Sequence, residues 1–393
     1  MDLKTYVDFD NTEVAFSSKS NRKLFKARLL FWVVNHPFLA AISTGLVRVV
    51  IFFGLPVNWI IKPTVFEHFC GGETIKESEG SIAELASFNI KTILDYSVEG
   101  EDSEEDFETT KRETLRTIEK AAQNSNMAFC VFKPTGLASQ IIMEKVQLRK
   151  NLTDEEGRNW QKAAERFDAI CNAASEMKIP ILIDAEDSWI QDPIDKLAMD
   201  LMRKYNRETA IVFNTYQLYK KNALQDLKRD CERARTEKFF LGAKLVRGAY
   251  MEKERERAEE KGYPDPINES KEDTDRDYNA ALEFCIENIG QLYLFSGSHN
   301  EYSNYYLTLL MEKQGLAKND KRIFFGQLYG MGDHISFNLA AAGYNVAKYV
   351  PFGPVKSVMP YLFRRAEENT SVKGQSSREL TLIRKETLRR KSG

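Results

Sequence analysis

From Gly80 onward the chain alternates short, almost continuously apolar runs with longer stretches of helical character. The runs are Thr92–Tyr96, Met127–Phe132, Pro180–Ile183, Ala210–Phe213, Phe239–Val246, Leu292–Phe295, Ile323–Phe325 and Asn345–Val350, eight in all. A strand with water on one face alternates polar and apolar side chains. Runs that are apolar at nearly every position therefore imply burial on both faces, as a parallel sheet covered by helices requires. The intervening segments carry helix-start chemistry. Thr153 with Glu156 makes a capping box, and Asp192-Pro193 offers an N-cap followed by a first-turn proline. Eight strand-plus-helix units predict an α/β fold, a (β/α)8 TIM-like barrel with extra N-terminal helices. A doubly wound open sheet is the competing architecture, but no Gly-x-Gly-x-x-Gly follows an early run.

Residues 1–80 read as an N-terminal helical region, 81–372 as the barrel, and 373–393 as a basic, loosely ordered tail. Leu24 to Ile61 is dense in apolar residues, but Asn35-His36-Pro37, Arg48, Gly54 and Pro56 interrupt it. A spanning helix needs about 20 apolar residues without a break. Lys23, Lys26, Arg28, Arg48 and Lys62 border the apolar stretches, so the region reads as helices packed on the barrel or as a surface lying on a membrane. Lys plus Arg is 56 against 58 for Asp plus Glu, which leaves no basic bias toward nucleic acid. The five cysteines (Cys70, Cys130, Cys171, Cys231, Cys285) are scattered without ligand spacing, which predicts reduced thiols in a reducing compartment. The acidic first ten residues lack a signal-peptide core, so the expected location is the cytoplasm.

A barrel enzyme works at the C-terminal ends of its strands. Here those ends carry Lys133, Asp184, Asn214, Lys244, His299, Gln327 and Tyr349. Buried ionisable groups cost several kcal/mol unless paired or used, so the ring predicts an active site. The chemistry is constrained by what is missing. Only four histidines exist (His36, His68, His299, His334), with no carboxylate cluster at ligand spacing, so no metal is expected. Lys133 or Lys244 could form a Schiff base, as aldolases of this fold do. After the eighth run, Arg364 and Arg365 splay about 100° apart on a helix, with Glu368 one turn later to brace them. Two planar, always-charged donors so arranged make a carboxylate clamp.

Taken together, these segments resemble the proline dehydrogenase family. The matching pieces are Phe132-Lys133, Ile183-Asp184-Ala185-Glu186, Asn214-Thr-Tyr-Gln217, Lys244-Leu-Val-Arg-Gly-Ala-Tyr250 and Ser298-His299-Asn300. Further on come Phe325-Gly-Gln327, Tyr349-Val-Pro-Phe-Gly353 and Tyr361-Leu-x-Arg364-Arg365-x-x-Glu368-Asn369. The likeness spans roughly residues 60 to 372 and is nearer the eukaryotic branch. It implies a distorted barrel whose Arg-Arg helix lies over the strand ends, a monofunctional enzyme, and non-covalent FAD held without a Rossmann domain.

By the same resemblance, Lys133, Arg364 and Arg365 bind the carboxylate of L-proline, with Tyr349, Tyr361, Leu245 and Tyr250 around its ring. Asp184 stands beside Lys133 and organises the site, and Lys244 lies beside the flavin. Asp184, Lys244 and Tyr349 are the expected catalytic set. Ala185, Asn214, Val246, Arg247, Gly248, Ala249, Ser298, His299, Gln327 and Glu368 are the expected cofactor contacts, and Glu99 would gate Arg364. The implied reaction is hydride transfer from C5 to flavin N5, giving Δ1-pyrroline-5-carboxylate, with electrons passed to a membrane quinone. That partner implies peripheral association with the cytoplasmic face of the inner membrane. Hydroxyproline oxidation is the close alternative, against which the bulk of Tyr349 argues. A Schiff-base aldolase and a non-catalytic membrane-associated barrel are the alternatives of other classes.

Overall fold

Parallel strands buried on both faces need helices to cover them, and in this chain the strands so covered also close into a barrel. In the computed structural model, which describes residues 7–34, 36, 61–98, 102–371 and 375–392, eight strands run in sequence order around a closed barrel. They are β1 (Ile90–Tyr96), β2 (Met127–Phe132), β3 (Ile181–Ile183), β4 (Val212–Gln217), β5 (Leu241–Val246), β6 (Leu292–Gly297), β7 (Ile323–Leu328) and β8 (Val346–Phe352). Before β1 come α1 (Thr12–Ala15), α2 (Asn21–Val34) and α3 (Glu79–Ala86), with a short helical segment at Lys62–Phe69 between α2 and α3. Between the strands come α4 (Glu104–Ala122), α5 (Gln140–Gln147), α6 (Asp154–Glu176), α7 (Ser188–Tyr205), α8 (Ala223–Glu237), α9 (Met251–Lys261), α10 (Lys271–Glu287), α11 (Glu301–Lys313) and α12 (Asp333–Ala341). After β8 follow α13 (Val355–Ser371), which carries the two arginines, and α14 (Gln375–Ser392). The chain divides into two compact units, Met1–Glu99 with Gln327–Gly393 (the terminal unit) and Gly100–Gly326 (the central unit).

In the central unit, Phe129 of β2 meets Phe213 of β4, Phe295 of β6 and Phe324 of β7 edge-on, with ring centroids 5.4, 5.2 and 5.0 Å apart. Edge-to-face packing of this kind adds about 1 kcal/mol per pair to the burial itself. The capping box at α6 forms as expected: Glu156 N–H donates to Thr153 Oγ1 at 3.2 Å, and Thr153 N–H to Glu156 Oε2 at 2.9 Å. The other helix start does not. Helix α7 begins at Ser188, and Pro193 lies inside it. The start is set by a distant group: Glu254 of α9 accepts from Ser188 N–H at 2.6 Å, satisfying one of the orphan donors of the first turn.

Strand boundaries differ instructively too. The polar quartet Asn214-Thr-Tyr-Gln217, expected after β4, is part of it, and all six residues of β4 are buried. Each polar side chain finds a partner: Thr215 Oγ1 donates to Ile183 O at 2.7 Å, Tyr216 OH to Asp230 Oδ2 at 3.1 Å, and Gln217 Nε2 to Glu186 O at 2.8 Å. Gln327, expected after the run Ile323–Phe325, likewise lies within β7.

In the terminal unit β1 pairs with β8 from Ile90↔Val346 to Tyr96↔Phe352. Lys348 of β8 has no exposed surface, and its ammonium donates to Asp333 Oδ1 at 2.7 Å, Met331 O at 2.7 Å and Leu328 O at 3.2 Å. Lys19 reaches the second oxygen of Asp333 at 2.8 Å. The segment expected to be a loose tail is instead the helix α14, whose Leu380, Leu382 and Ile383 are buried with Phe16, Leu24 and Phe31. Its basic residues serve structure: Arg390 donates to Phe16 O at 2.9 Å and to Lys19 O at 2.8 Å. All five cysteines are free and buried. Among the described residues no helix is long and apolar enough to cross a membrane. Most of the apolar stretch, including Arg48, Gly54 and Pro56, lies outside the described residues.

Candidate active site

In the central unit the strand ends bring opposite charges together. Lys244 Nζ of β5 donates to Asp184 Oδ1, just past β3, at 2.6 Å, with side-chain exposures of 8% and 18%. Lys133 follows β2 at the start of a 3-10 turn, Pro134–Gly136, and its positive charge acts on Glu186. Thr135 Oγ1 donates to Glu186 Oε1 at 2.7 Å.

From Glu186 a buried chain leads to β4. Glu186 N–H donates to Gln191 Oε1 at 2.8 Å, Gln191 Nε2 to Asp195 Oδ1 at 2.8 Å, and Asn214 Nδ2 to the same oxygen at 2.9 Å. Burial pushes the Glu186 carboxyl up to about 7 against the pull of Thr135 and Lys133, and pushes Asp195 up to about 6 against its amide donors. A raised carboxyl holds its proton in the folded chain at pH values where the unfolded chain has released it. Its stabilising contribution is therefore present below the ordinary carboxylate range and is lost as pH rises toward 7. Glu186→Gln should lose less stability than the wild type between these limits, measured as urea midpoints against pH. Parallel profiles would remove the assignment.

After β5 the chain turns through Arg247, Gly248 and Ala249. Arg247 is locked from three sides: Nε donates to Asp275 at 2.7 Å, NH1 to Ser298 Oγ at 2.8 Å and NH2 to Ser303 Oγ at 2.9 Å, while its guanidinium lies 4.3 Å from the Tyr278 ring centroid. Gly248 has φ +132°, and a Cβ there would stand 2.5 Å from the Tyr219 ring, so only glycine makes this turn. Leu245 is fully buried, Ala185, Val246, Tyr250 and His299 are half-buried, Ala249 is exposed, and Ser298 is buried.

In the terminal unit, Gln327 Oε1 accepts from Ser336 Oγ at 2.9 Å, and the buried Tyr349 accepts through its carbonyl from Tyr329 N–H at 2.8 Å. On α13 the Arg365 guanidinium lies 5.1 Å from the centroid of the Tyr361 ring, one turn earlier. Arg365 is 8% exposed and Arg364 half-buried. The side chain of Glu368, and Glu99, lie outside the described residues, and with them the expected brace and gate. Among the described residues no cluster of three or more His, Cys, Asp or Glu could hold a metal ion.

Residues 78–378 match the sequence profile of the proline dehydrogenase family. The chain belongs to that family. It is 36% identical over 327 residues to the carbapenem antibiotics biosynthesis protein CarD of Pectobacterium carotovorum subsp. carotovorum, covering 83% of this chain and 84% of the relative. It is 34% identical to the mitochondrial proline dehydrogenase 1 of Dictyostelium discoideum, over 98% of this chain and 75% of that one. A hydroxyproline dehydrogenase of Xenopus laevis is 30% identical over 95% of this chain and 88% of its own length. The fold is similar to a structure of proline utilization A from Bdellovibrio bacteriovorus inactivated by N-propargylglycine, with a TM-score of 0.71 and 20% identity over 93% of this chain. This chain spans 37% of that longer protein.

The residues present suit the anionic dinucleotide that the family resemblance implies. Arg247, Ser298 and His299 offer hydrogen-bonding groups on adjoining strand ends. Asn214 Oδ1 is buried and accepts no hydrogen bond from a described residue, an acceptor awaiting an N–H of the kind a flavin ring carries. Several supports escaped the sequence reading. Glu186 was visible in the Asp-Ala-Glu triplet but received no role. Asp195 and Asp275 sit on helix surfaces with no local signal, because only packing of α7 and α10 on the sheet brings them to Asn214 and Arg247.

Proposed function

We propose that residues 81–372 oxidise L-proline to Δ1-pyrroline-5-carboxylate, the first step of proline catabolism. The observation that carries this reading is the family match across residues 78–378, which includes every candidate site residue from Lys133 to Glu368. Bound non-covalently, FAD would supply the hydride acceptor, N5, for C5 of proline and pass the electrons to a quinone. The chain's own residues bind and orient. Lys133, Arg364 and Arg365 take the substrate carboxylate, which leaves the ring carbon free to face the acceptor. Tyr349, Tyr361, Leu245 and Tyr250 enclose the pyrrolidine ring. Asp184 holds Lys244 in place through their ion pair, so the lysine is positioned where negative charge develops on the cofactor. Arg247, held rigid by Asp275 and Ser303, serves the dinucleotide with Ser298, His299, Asn214 and Gln327.

The ion pair also weighs against Schiff-base chemistry at Lys244, since a lysine nitrogen engaged by a carboxylate at 2.6 Å is not free to attack a carbonyl. The deciding experiment is anaerobic addition of L-proline to the purified yellow protein, where the flavin absorbance should bleach. Flavin that stays oxidised would overturn the substrate assignment. The buried Tyr349 favours proline over its 4-hydroxylated analogue, which needs room for a hydroxyl. Tyr349→Ser should therefore raise the ratio of kcat/KM for trans-4-hydroxy-L-proline to that for L-proline by about tenfold or more. An unchanged ratio would remove Tyr349 from the substrate pocket.

A further inference from the structure

Asn214 lies on β4 with 2% of its surface exposed, in register with Ile183 of β3 and Ala243 of β5. The two ends of an amide side chain share a shape and differ in polarity, so the neighbours decide which end faces which way. One end of Asn214 faces helix α7, where its Nδ2 donates to Asp195 Oδ1 at 2.9 Å. The other end, Oδ1, is buried and meets no donor among the described residues. Turning the amide over would set its oxygen against the oxygen of Asp195, two acceptors with no hydrogen between them. Asp195 thereby fixes the amide with its carbonyl turned away from α7.

The direction is anchored further back. Gln191 and Asp195 stand four residues apart on α7, one turn along the same face. Glu186 N–H donates to Gln191 Oε1 at 2.8 Å. A backbone N–H cannot be reversed, so Gln191 presents its NH2 at the far end, and Nε2 donates to Asp195 Oδ1 at 2.8 Å. That oxygen receives two N–H groups and so carries no proton, whatever the state of its companion oxygen. A backbone donor sets Gln191, two amides converge on one carboxylate oxygen, and Asn214 is left with one direction. We propose that Asp195 is a positioning residue for the cofactor, holding the Asn214 carbonyl as a ready-made acceptor for an N–H of the flavin ring. An acceptor fixed in advance loses no rotational freedom when the flavin arrives. The carbonyl gains as well, since a buried oxygen without a donor is unfavourable and the ring N–H supplies one.

This assignment rests on the flavin of the proposed oxidation, and its test is read from FAD retention without substrate. Release of FAD from the diluted holoenzyme, followed by the rise in flavin fluorescence, gives the dissociation constant. D195A should weaken retention about tenfold, and N214A by a similar factor. D195A/N214A should be no weaker than N214A alone, because Asp195 acts through that amide. D195N keeps an oxygen for both amides and should retain FAD nearly as the wild type does, a rescue that a role in charge alone would not show. Where D195A fails to fold, exchanging the partners decides. N214D sets two acceptors face to face and should weaken retention, and D195N/N214D should recover it, since the NH2 then comes from α7. The assignment fails if D195A retains FAD as the wild type does, if the two losses multiply in the double variant, if D195N loses as much as D195A, or if the exchange brings no recovery. Flavin that is held but not bleached by L-proline removes the substrate assignment and leaves this one standing. A wild type that binds no FAD removes both.

Discussion

Arg365→Met should weaken L-proline binding by about a hundredfold or more while leaving flavin content unchanged. Arg365 is 8% exposed and its guanidinium lies over the Tyr361 ring, so it is presented to an anion with little further loss of side-chain freedom. Truncating one member of a desolvated charge pair costs about 2–5 kcal/mol, because the remaining charge is left in a poorly solvated place. Arg364 is half-buried, and water would screen part of its contribution. Arg364→Met should therefore show the same sign with a smaller loss. Anaerobic titration of the flavin spectrum with L-proline measures both. If the two variants lose flavin and substrate affinity together, the arginines hold the cofactor or the fold, and the clamp assignment is wrong. If Arg364→Met proves the more damaging, solvent exposure is a poor guide to which cation carries the carboxylate.

The second large effect lies in the terminal unit. Asp333→Asn should destabilise the protein at neutral pH by about 3–5 kcal/mol, the usual range for breaking a buried ion pair from one side. Asp333 is gripped by Lys348 at 2.7 Å and by Lys19 at 2.8 Å. Burial on its own would raise this carboxyl, but the two ammonium groups outweigh it and hold it well below the usual carboxylate range. A depressed carboxyl contributes stability that is present above its unfolded value and lost as pH falls. The gap between wild type and Asp333→Asn should accordingly narrow in acid. Urea unfolding at neutral and acidic pH checks both statements. Adding Lys348→Met to Asp333→Asn should recover part of the loss, since an apolar side chain of similar length removes the stranded charge. A single variant as stable as the wild type at neutral pH would show that the triad contributes nothing net.

Much of this was legible in the sequence. The eight buried runs announced eight strands, because burial on both faces demands apolarity at every position, and the Thr153 box marked the start of α6 through contacts three residues apart. The ring of polar residues at the strand ends was visible for the same reason: charge in a buried strand contradicts its surroundings. What was misread shares one feature, dependence on a partner far away in sequence. Asn214 to Gln217 look like loop until Ile183, Glu186, Asp195 and Asp230 supply their hydrogen bonds. Pro193 looks like a first-turn residue until Glu254 is found holding the true start of α7. The basic C-terminal segment looks loose until Phe16, Leu24 and Phe31 give its apolar residues a place to bury.

Period was enough to specify the barrel, since strand burial and helix capping are decided within a few residues of each other, and the motifs at the strand ends carried the resemblance to the family. Which carboxylate neutralises which cation was decided only by folding. Asp184 meets Lys244 across 60 residues, and Asp333 joins Lys19 to Lys348 across the ends of the chain. Coulomb attraction acts over a few ångströms of space and carries no trace of sequence distance.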